Sequence, residues 1–290
     1  MSPFPAIMPN TMPPSPPVAL TIAGSDSSAG AGIQADLKVF SALGCYGVSA
    51  LTSVVAEIPG QVRNIALLNP DIILSQVAVL QEGFPITAAK TGMLGGNAQI
   101  RAVIEAWQPF ARTGVPLVVD PVMVSTSGRR LLEADAMDLL TGGLLPLANL
   151  ITPNLDEAAV LLGSRIENRG EMETAGQTLA ERYGSSILVK GGHLTGDAVP
   201  DLLVHEGQLT WFEGRRIPRV RTHGTGCTYS AAITALLAQG VSLPAALPRA
   251  KAFMTAAIEN FFRWNHEGAA LDALNPFAAA ATSLAGDSPE

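Results

Sequence analysis

Apolar residues arrive along this chain in short blocks, and two kinds of block alternate. Residues 18–24 (VALTIAG) are a short, largely apolar run that stops at a glycine, the pattern of a strand buried on both faces. In the following stretch Ile33, Leu37, Phe40 and Leu43 recur three or four residues apart, which predicts a helix with one face on a core. The same reading predicts strands over 47–57, 88–94, 116–123, 150–152 and 187–190, and helices over 71–81, 98–111, 131–144, 155–162, 171–183 and 245–262. Regular alternation of strand and helix is the mark of right-handed β-α-β units on one parallel sheet covered on both faces.

One segment departs from this rhythm. Residues 201–213 (DLLVHEGQLTWFE) read as a hairpin turning at Glu206-Gly207, and 216–221 as an edge segment beyond it. The expected fold is therefore a three-layer α/β/α sandwich with a mostly parallel central sheet and no separate lid domain. A single domain is expected over 18–266, with residues 1–17 a disordered Pro-rich lead-in and 267–290 a flexible tail.

Composition narrows the function classes. The 290 residues are 48% hydrophobic and 15% charged, with a formal net charge of −7, which speaks against nucleic acid or an anionic membrane as the main partner. Two cysteines, Cys45 and Cys227, make no disulfide framework and fit a reducing, cytoplasmic setting. No apolar run reaches membrane-spanning length, and the proline-rich start lacks the basic stretch of a secretory signal.

Candidate chemistry collects at the carboxyl ends of the expected strands, where open parallel sheets bind ligands. Gly24-Ser25-Asp26, Glu57, Lys90 to Met93, Asp120, Asn154 to Glu157 and Lys190 to His193 all fall there. The stretch THGTGCTYSAAITALLA places a Gly-Thr-Gly turn directly before an alanine-rich helix. First-turn N–H groups have no intrahelical acceptor and lie at the positive end of the helix dipole, so this turn is a site for an anion, phosphate above all. The same field predicts a lowered pKa for Cys227. Neither G-x-x-x-x-G-K-[ST] nor G-x-G-x-x-G occurs, and the four histidines show no zinc-ligand spacing.

Taken in order, LTIAGSDSSAGAGIQADLKVFSALG, AAKTGML, VVDPVM, LITPNLDEAAVLLG, VKGGH and THGTGCTYSAAITALLA resemble the hydroxymethylpyrimidine/phosphomethylpyrimidine kinases, the thiamin-pathway branch of the ribokinase-like family. The resemblance runs from about residue 18 to about residue 262. It implies phosphorylation by ATP of the hydroxymethyl group of 4-amino-5-hydroxymethyl-2-methylpyrimidine, then of the monophosphate. It also implies an anion hole at Gly224, Thr225 and Gly226 with Cys227 as base, and acceptor contacts at Gly24, Asp36, Val55, Glu57 and Met93. ATP would be met by Lys190, Thr222, His223 and Lys251, and hydrated Mg²⁺ by Asn154, Glu157 and Asp120. A homodimer is implied as well. Glu57 departs from the glutamine common in such kinases; a glutamine both accepts and donates, whereas an ionised glutamate only accepts. That difference leaves a vitamin B6 (pyridoxal) kinase of the same fold open, and a non-catalytic binder that keeps the pocket is the remaining alternative.

Overall fold

A computed structural model describes residues 15–124, 131–218, 220 and 223–278. Thr222, most of the lead-in and the end of the tail lie outside these residues. The core is one nine-stranded sheet: β1 (Val18–Asp26), β2 (Tyr46–Ile58), β3 (Gln61–Leu67), β4 (Ile86–Thr91), β5 (Leu117–Val119), β6 (Leu150–Ile151), β7 (Ser186–Lys190), β8 (Asp201–His205) and β9 (Gln208–Phe212). Their spatial order is β3-β2-β1-β4-β5-β6-β7-β8-β9. The central six pair parallel, while β3, β8 and β9 pair antiparallel at the two edges.

Two separate cores flank the sheet, as continuous apolar strands require. On one face α2 (Pro70–Gly83), α3 (Asn97–Ala111), α5 (Leu155–Leu162) and α6 (Arg169–Tyr183) bury Ile73, Val103, Trp107, Leu161 and Leu179. On the other, α1 (Gly32–Ala42), α7 (Thr225–Ala238) and α8 (Leu243–Glu259) bury Phe40, Tyr229, Ile233, Leu247 and Phe253. The chain moves from β1 to β2 in one direction and on to β4 in the other. The order of strands therefore reverses around β1, which opens a crevice above its carboxyl end.

Four expectations need correction. The edge strand β3, polar and exposed along most of its length, carries too little alternation to be foreseen. Residues 131–144 do not form one helix: a 3₁₀ turn (Ala134–Ala136), a single turn α4 (Met137–Leu139) and a π turn (Leu140–Leu144) follow one another. Gly142, Gly143 and Pro146 deny that segment regular backbone bonding. The last helix ends at Glu259, and the hairpin β10 (Phe262–His266) and β11 (Ala269–Ala273) follows, so part of the expected tail is ordered strand. Asp272 there is buried and accepts from the Arg263 guanidinium at 2.7 and 2.8 Å. No strand forms over the described residues of 216–221; the Arg216 guanidinium instead donates to the Gly196 and Leu194 carbonyls.

Candidate active site

The acceptor end is built by the turn after β1. The Asp26 carboxylate accepts from the Ser28 and Ala31 N–H groups at 2.7 and 2.8 Å and contacts His223 Nε2 at 3.0 Å. Burial opposes its charge, but the bonds from His223 and Ser28 outweigh burial and hold the carboxyl below its ordinary range. Asp26 thus shapes the β1–α1 turn and ties it to the glycine motif. The two turns also touch through backbone. Gly224 is in the left-handed region (φ 82°), and a Cβ on it would run into the Gly30 carbonyl.

Gly224 caps α7, and the Thr228 N–H donates back to its carbonyl at 2.9 Å. Thr225, Gly226 and Cys227 therefore occupy the first turn of α7, at the positive end of its dipole. A Cβ on Gly226 would lie 3.4 Å from both Asp120 Oδ2 and Lys190 Nζ, so the turn rests directly on that ion pair. Lys190 Nζ and Asp120 Oδ1 are 2.9 Å apart, and Thr152 and Ser230 hydroxyls also reach Asp120. Burial works against the charge of Lys190, yet Asp120 and Glu157 more than offset it; Lys190 and Lys90 likewise keep the buried Asp120 ionised.

Asn154 and Glu157 form a reciprocal capping box on α5, with side-chain to backbone distances of 2.9 and 2.8 Å. Burial pushes the Glu157 carboxyl up to about 7, with Lys190 pulling the other way. Lys251, expected near ATP, has its three protons engaged by Asp201 Oδ2 at 2.7 Å and by the Val199 and Phe212 carbonyls at 2.9 and 2.8 Å. It braces β8 against β9 and has no proton left for a phosphate. Asp36, expected to meet the acceptor ring, pairs with Lys90 at 2.7 Å and accepts from Thr21 at 2.6 Å. Burial pushes its carboxyl up, with the Lys90 ammonium and the Thr21 hydroxyl pulling the other way.

The expected thiolate is the main electrostatic correction. Burial pushes the Cys227 thiol up to about 12; Lys90 opposes this, while Asp36 and Asp120 reinforce it. The dipole at the start of α7 is therefore outweighed by desolvation and two carboxylates. At pH 7.5, iodoacetamide should modify Cys227 at least about 100-fold more slowly than a free cysteine, with a rate rising about tenfold per pH unit. Cys45, also buried with a raised pKa, will not obscure the measurement by mass spectrometry. Rapid labelling at neutral pH would restore the thiolate.

One cavity of about 740 Å³ joins these groups. Gly24, Asp36, Val55, Glu57 and Met93 line it together with Asp120, Asn154, Glu157, Lys190, His223, Gly224, Thr225, Gly226, Cys227 and Lys251. The sequence reading assigned no role to Lys90, although a lysine inside the apolar run AAK could signal one: a charge in a buried strand demands a partner. Its partner Asp36 lies on another element and is visible only in the folded chain.

A glycine turn at a helix start, a buried lysine–aspartate pair behind it and one cavity joining both to the end of β1, on a sheet of this topology, fit a ribokinase-like phosphotransferase. The chain matches the phosphomethylpyrimidine kinase family over residues 26–272 and belongs to it. It is 42% identical over 248 residues to a hydroxymethylpyrimidine/phosphomethylpyrimidine kinase of Streptomyces coelicolor, covering 86% of this chain and 91% of that one. The crystal structure of phosphomethylpyrimidine kinase from Clostridium difficile is similar with TM-score 0.74 and 39% identity, over 83% of this chain and 99% of that one. An ADP complex of Bacillus subtilis pyridoxal kinase is similar with TM-score 0.82 and 35% identity, over 91% and 98% respectively.

Proposed function

We propose that this protein transfers the γ-phosphoryl group of ATP to 4-amino-5-hydroxymethyl-2-methylpyrimidine and then to the resulting monophosphate, for thiamin biosynthesis. The observation carrying this reading is that Cys227 and the Gly224–Gly226 turn open into one cavity with Glu57 and Met93. Phosphate N–H donors and a flat-ring pocket thus face each other across a space large enough for both substrates.

In the transfer, the alcohol oxygen bonds to the γ-phosphorus as the bridge to the β-phosphate breaks, and ADP leaves with that electron pair. The transition state is loose and its charge spreads over the equatorial oxygens, which the N–H groups of the turn and the Lys190 ammonium stabilise. An alcohol in such a transition state becomes acidic only as the new bond forms, so its proton departs late, to solvent. Cys227, a thiol at neutral pH, orients the hydroxyl and does not deprotonate it. Thr222 keeps its place as an ATP contact on the family resemblance alone, and His223 acts through Asp26.

Glu57 can do the work of a glutamine when protonated. Burial raises its carboxyl, Asp26 adds to the rise, and His223 opposes it. A protonated Glu57 accepts from the ring amino group and donates to the adjacent ring nitrogen.

Mg²⁺, when bound with ATP, neutralises phosphate charge. Asp120 is committed to Lys190 and Thr152, and Glu157 to its cap, so these residues suit an ion held through its waters. Among the described residues, one group of three carboxylate and imidazole side chains has ligand atoms all within 4.8 Å of one another, Asp26, Glu57 and His223, at the acceptor end. Asp26 already has its acceptor capacity filled, so that cluster does not replace the family's metal position.

Exposed Val54, Ile58 and Leu67 along β2 and β3 give the expected homodimer a surface, and free thiols with an ATP requirement fit the cytoplasm. No described helix is long and apolar enough to cross a membrane. The test is ADP release with the pyrimidine alcohol, its monophosphate and pyridoxal as parallel acceptors. Both pyrimidines should exceed pyridoxal in kcat/KM by at least about tenfold. A preference for pyridoxal would favour the B6 kinase, supported by the likeness to the Bacillus enzyme, and turnover of none would favour a binder.

A further inference from the structure

The two proposed steps present the site with acceptors of different charge. The first acceptor is a neutral alcohol. The second is a phosphate monoester carrying about two negative charges at neutral pH. Carboxylates dominate the groups near the acceptor: Asp26, Asp36 and Glu57 line that end, and Asp120 lies beyond them. Lys190 pairs with Asp120 beside Gly226, at the glycine turn, and Lys251 has no proton to spare.

Of the other described lysines and arginines that line the cavity, Arg215 and Arg216 are exposed and Lys90 is buried. It is the penultimate residue of β4, has 0% of its surface exposed and lines the same cavity, directly behind Gly92; a Cβ on Gly92 would lie 3.8 Å from its Nζ. Its ammonium has one partner among the described residues, Asp36 Oδ1 at 2.7 Å. An ammonium carries three donors, so two are left without an acceptor among the described residues. Idle donors on a buried charge are costly, and a fold keeps them where a ligand completes the shell. Burial disfavours the charge of Lys90, but Asp36, with Asp120 adding to it, outweighs burial and keeps it protonated.

We propose that Lys90 receives the phosphate of the monophosphorylated acceptor and makes the second phosphorylation possible. The inference rests on the two-step reading above. A non-bridging oxygen of the acceptor phosphate attacks the γ-phosphorus; the new P–O–P bond forms, the bond to the β,γ-bridging oxygen breaks, and ADP leaves with the electron pair. The monoester is already ionised, so no proton has to be removed from the nucleophile. Lys90 keeps its own proton throughout, and its idle N–H groups donate to the acceptor's remaining oxygens. The neutral alcohol of the first step offers no comparable charge, so that step depends on Lys90 much less.

The experiment compares kcat/KM for the alcohol and for its monophosphate, each with ATP, in the wild-type enzyme and in Lys90→Met. The ratio of second step to first should fall about 100-fold, the scale of losing charge-assisted hydrogen bonds to a phosphate. Should Lys90→Met fail to fold with Asp36 left unpaired, the double variant Asp36→Asn/Lys90→Gln keeps a neutral amide pair there. Losses common to both steps cancel in the ratio, which a purely structural role would leave unmoved. A ratio within about threefold of wild type overturns the proposal. Wild-type enzyme that phosphorylates the alcohol but not the monophosphate also overturns it while leaving the first-step kinase reading intact; turnover of neither removes both.

Discussion

Gly224→Ala should lower kcat by at least about 100-fold while costing only about 1–2 kcal/mol of stability. Gly224 holds a φ of 82°, which alanine adopts at a cost, and the added Cβ would meet the Gly30 carbonyl, a backbone atom with no room to retreat. The two turns would have to part, carrying the first-turn N–H groups away from the phosphate and loosening the His223–Asp26 contact. Gly240, just beyond the other end of α7, makes a clean control. Its φ is 80°, yet a Cβ there would meet nothing within 4 Å. Gly240→Ala should therefore lose stability alone, and steady-state kinetics beside thermal melts will separate the two effects. Should Gly224→Ala keep kcat within about threefold, the anion hole is elsewhere.

Lys190→Met should be the most destructive change at the nucleotide end. It leaves Asp120 buried without its nearest counter-charge, which costs about 3 kcal/mol because Lys90, Thr152 and Ser230 still support the carboxylate. It also removes the cation beside Gly226, so kcat should fall by about 100-fold or more. Asp120→Asn on top of Lys190→Met removes the orphaned charge. The double variant should regain most of the lost melting temperature without regaining activity. Recovery of both together would make Lys190 structural only.

Much of this molecule is written in local pattern. Short, largely apolar runs such as 18–24 and 187–189 call for burial on both faces, and strand–helix alternation leaves a parallel sheet as the economical answer. The glycines of the HGTGC turn carry their own meaning, because only a tight backbone approach requires them. Segments with weaker local preference were less legible. The edge strand β3 has little apolar alternation, and the β10–β11 hairpin follows a helix whose pattern gives no firm stop.

The sequence by itself determined the order of candidate chemistry along the chain, the glycine turn at the start of α7 and the membership of a kinase family, since each depends on residues close together in the chain. Only the tertiary structure decided the charge states. Asp36 finds Lys90 across 54 positions, and Asp120 finds Lys190 across 70. Cys227 turns from an expected thiolate into a thiol because the carboxylates and burial around it come from elements that fold in from elsewhere. Desolvation and long-range Coulomb terms depend on what surrounds a group in space, and neighbours in sequence do not report that.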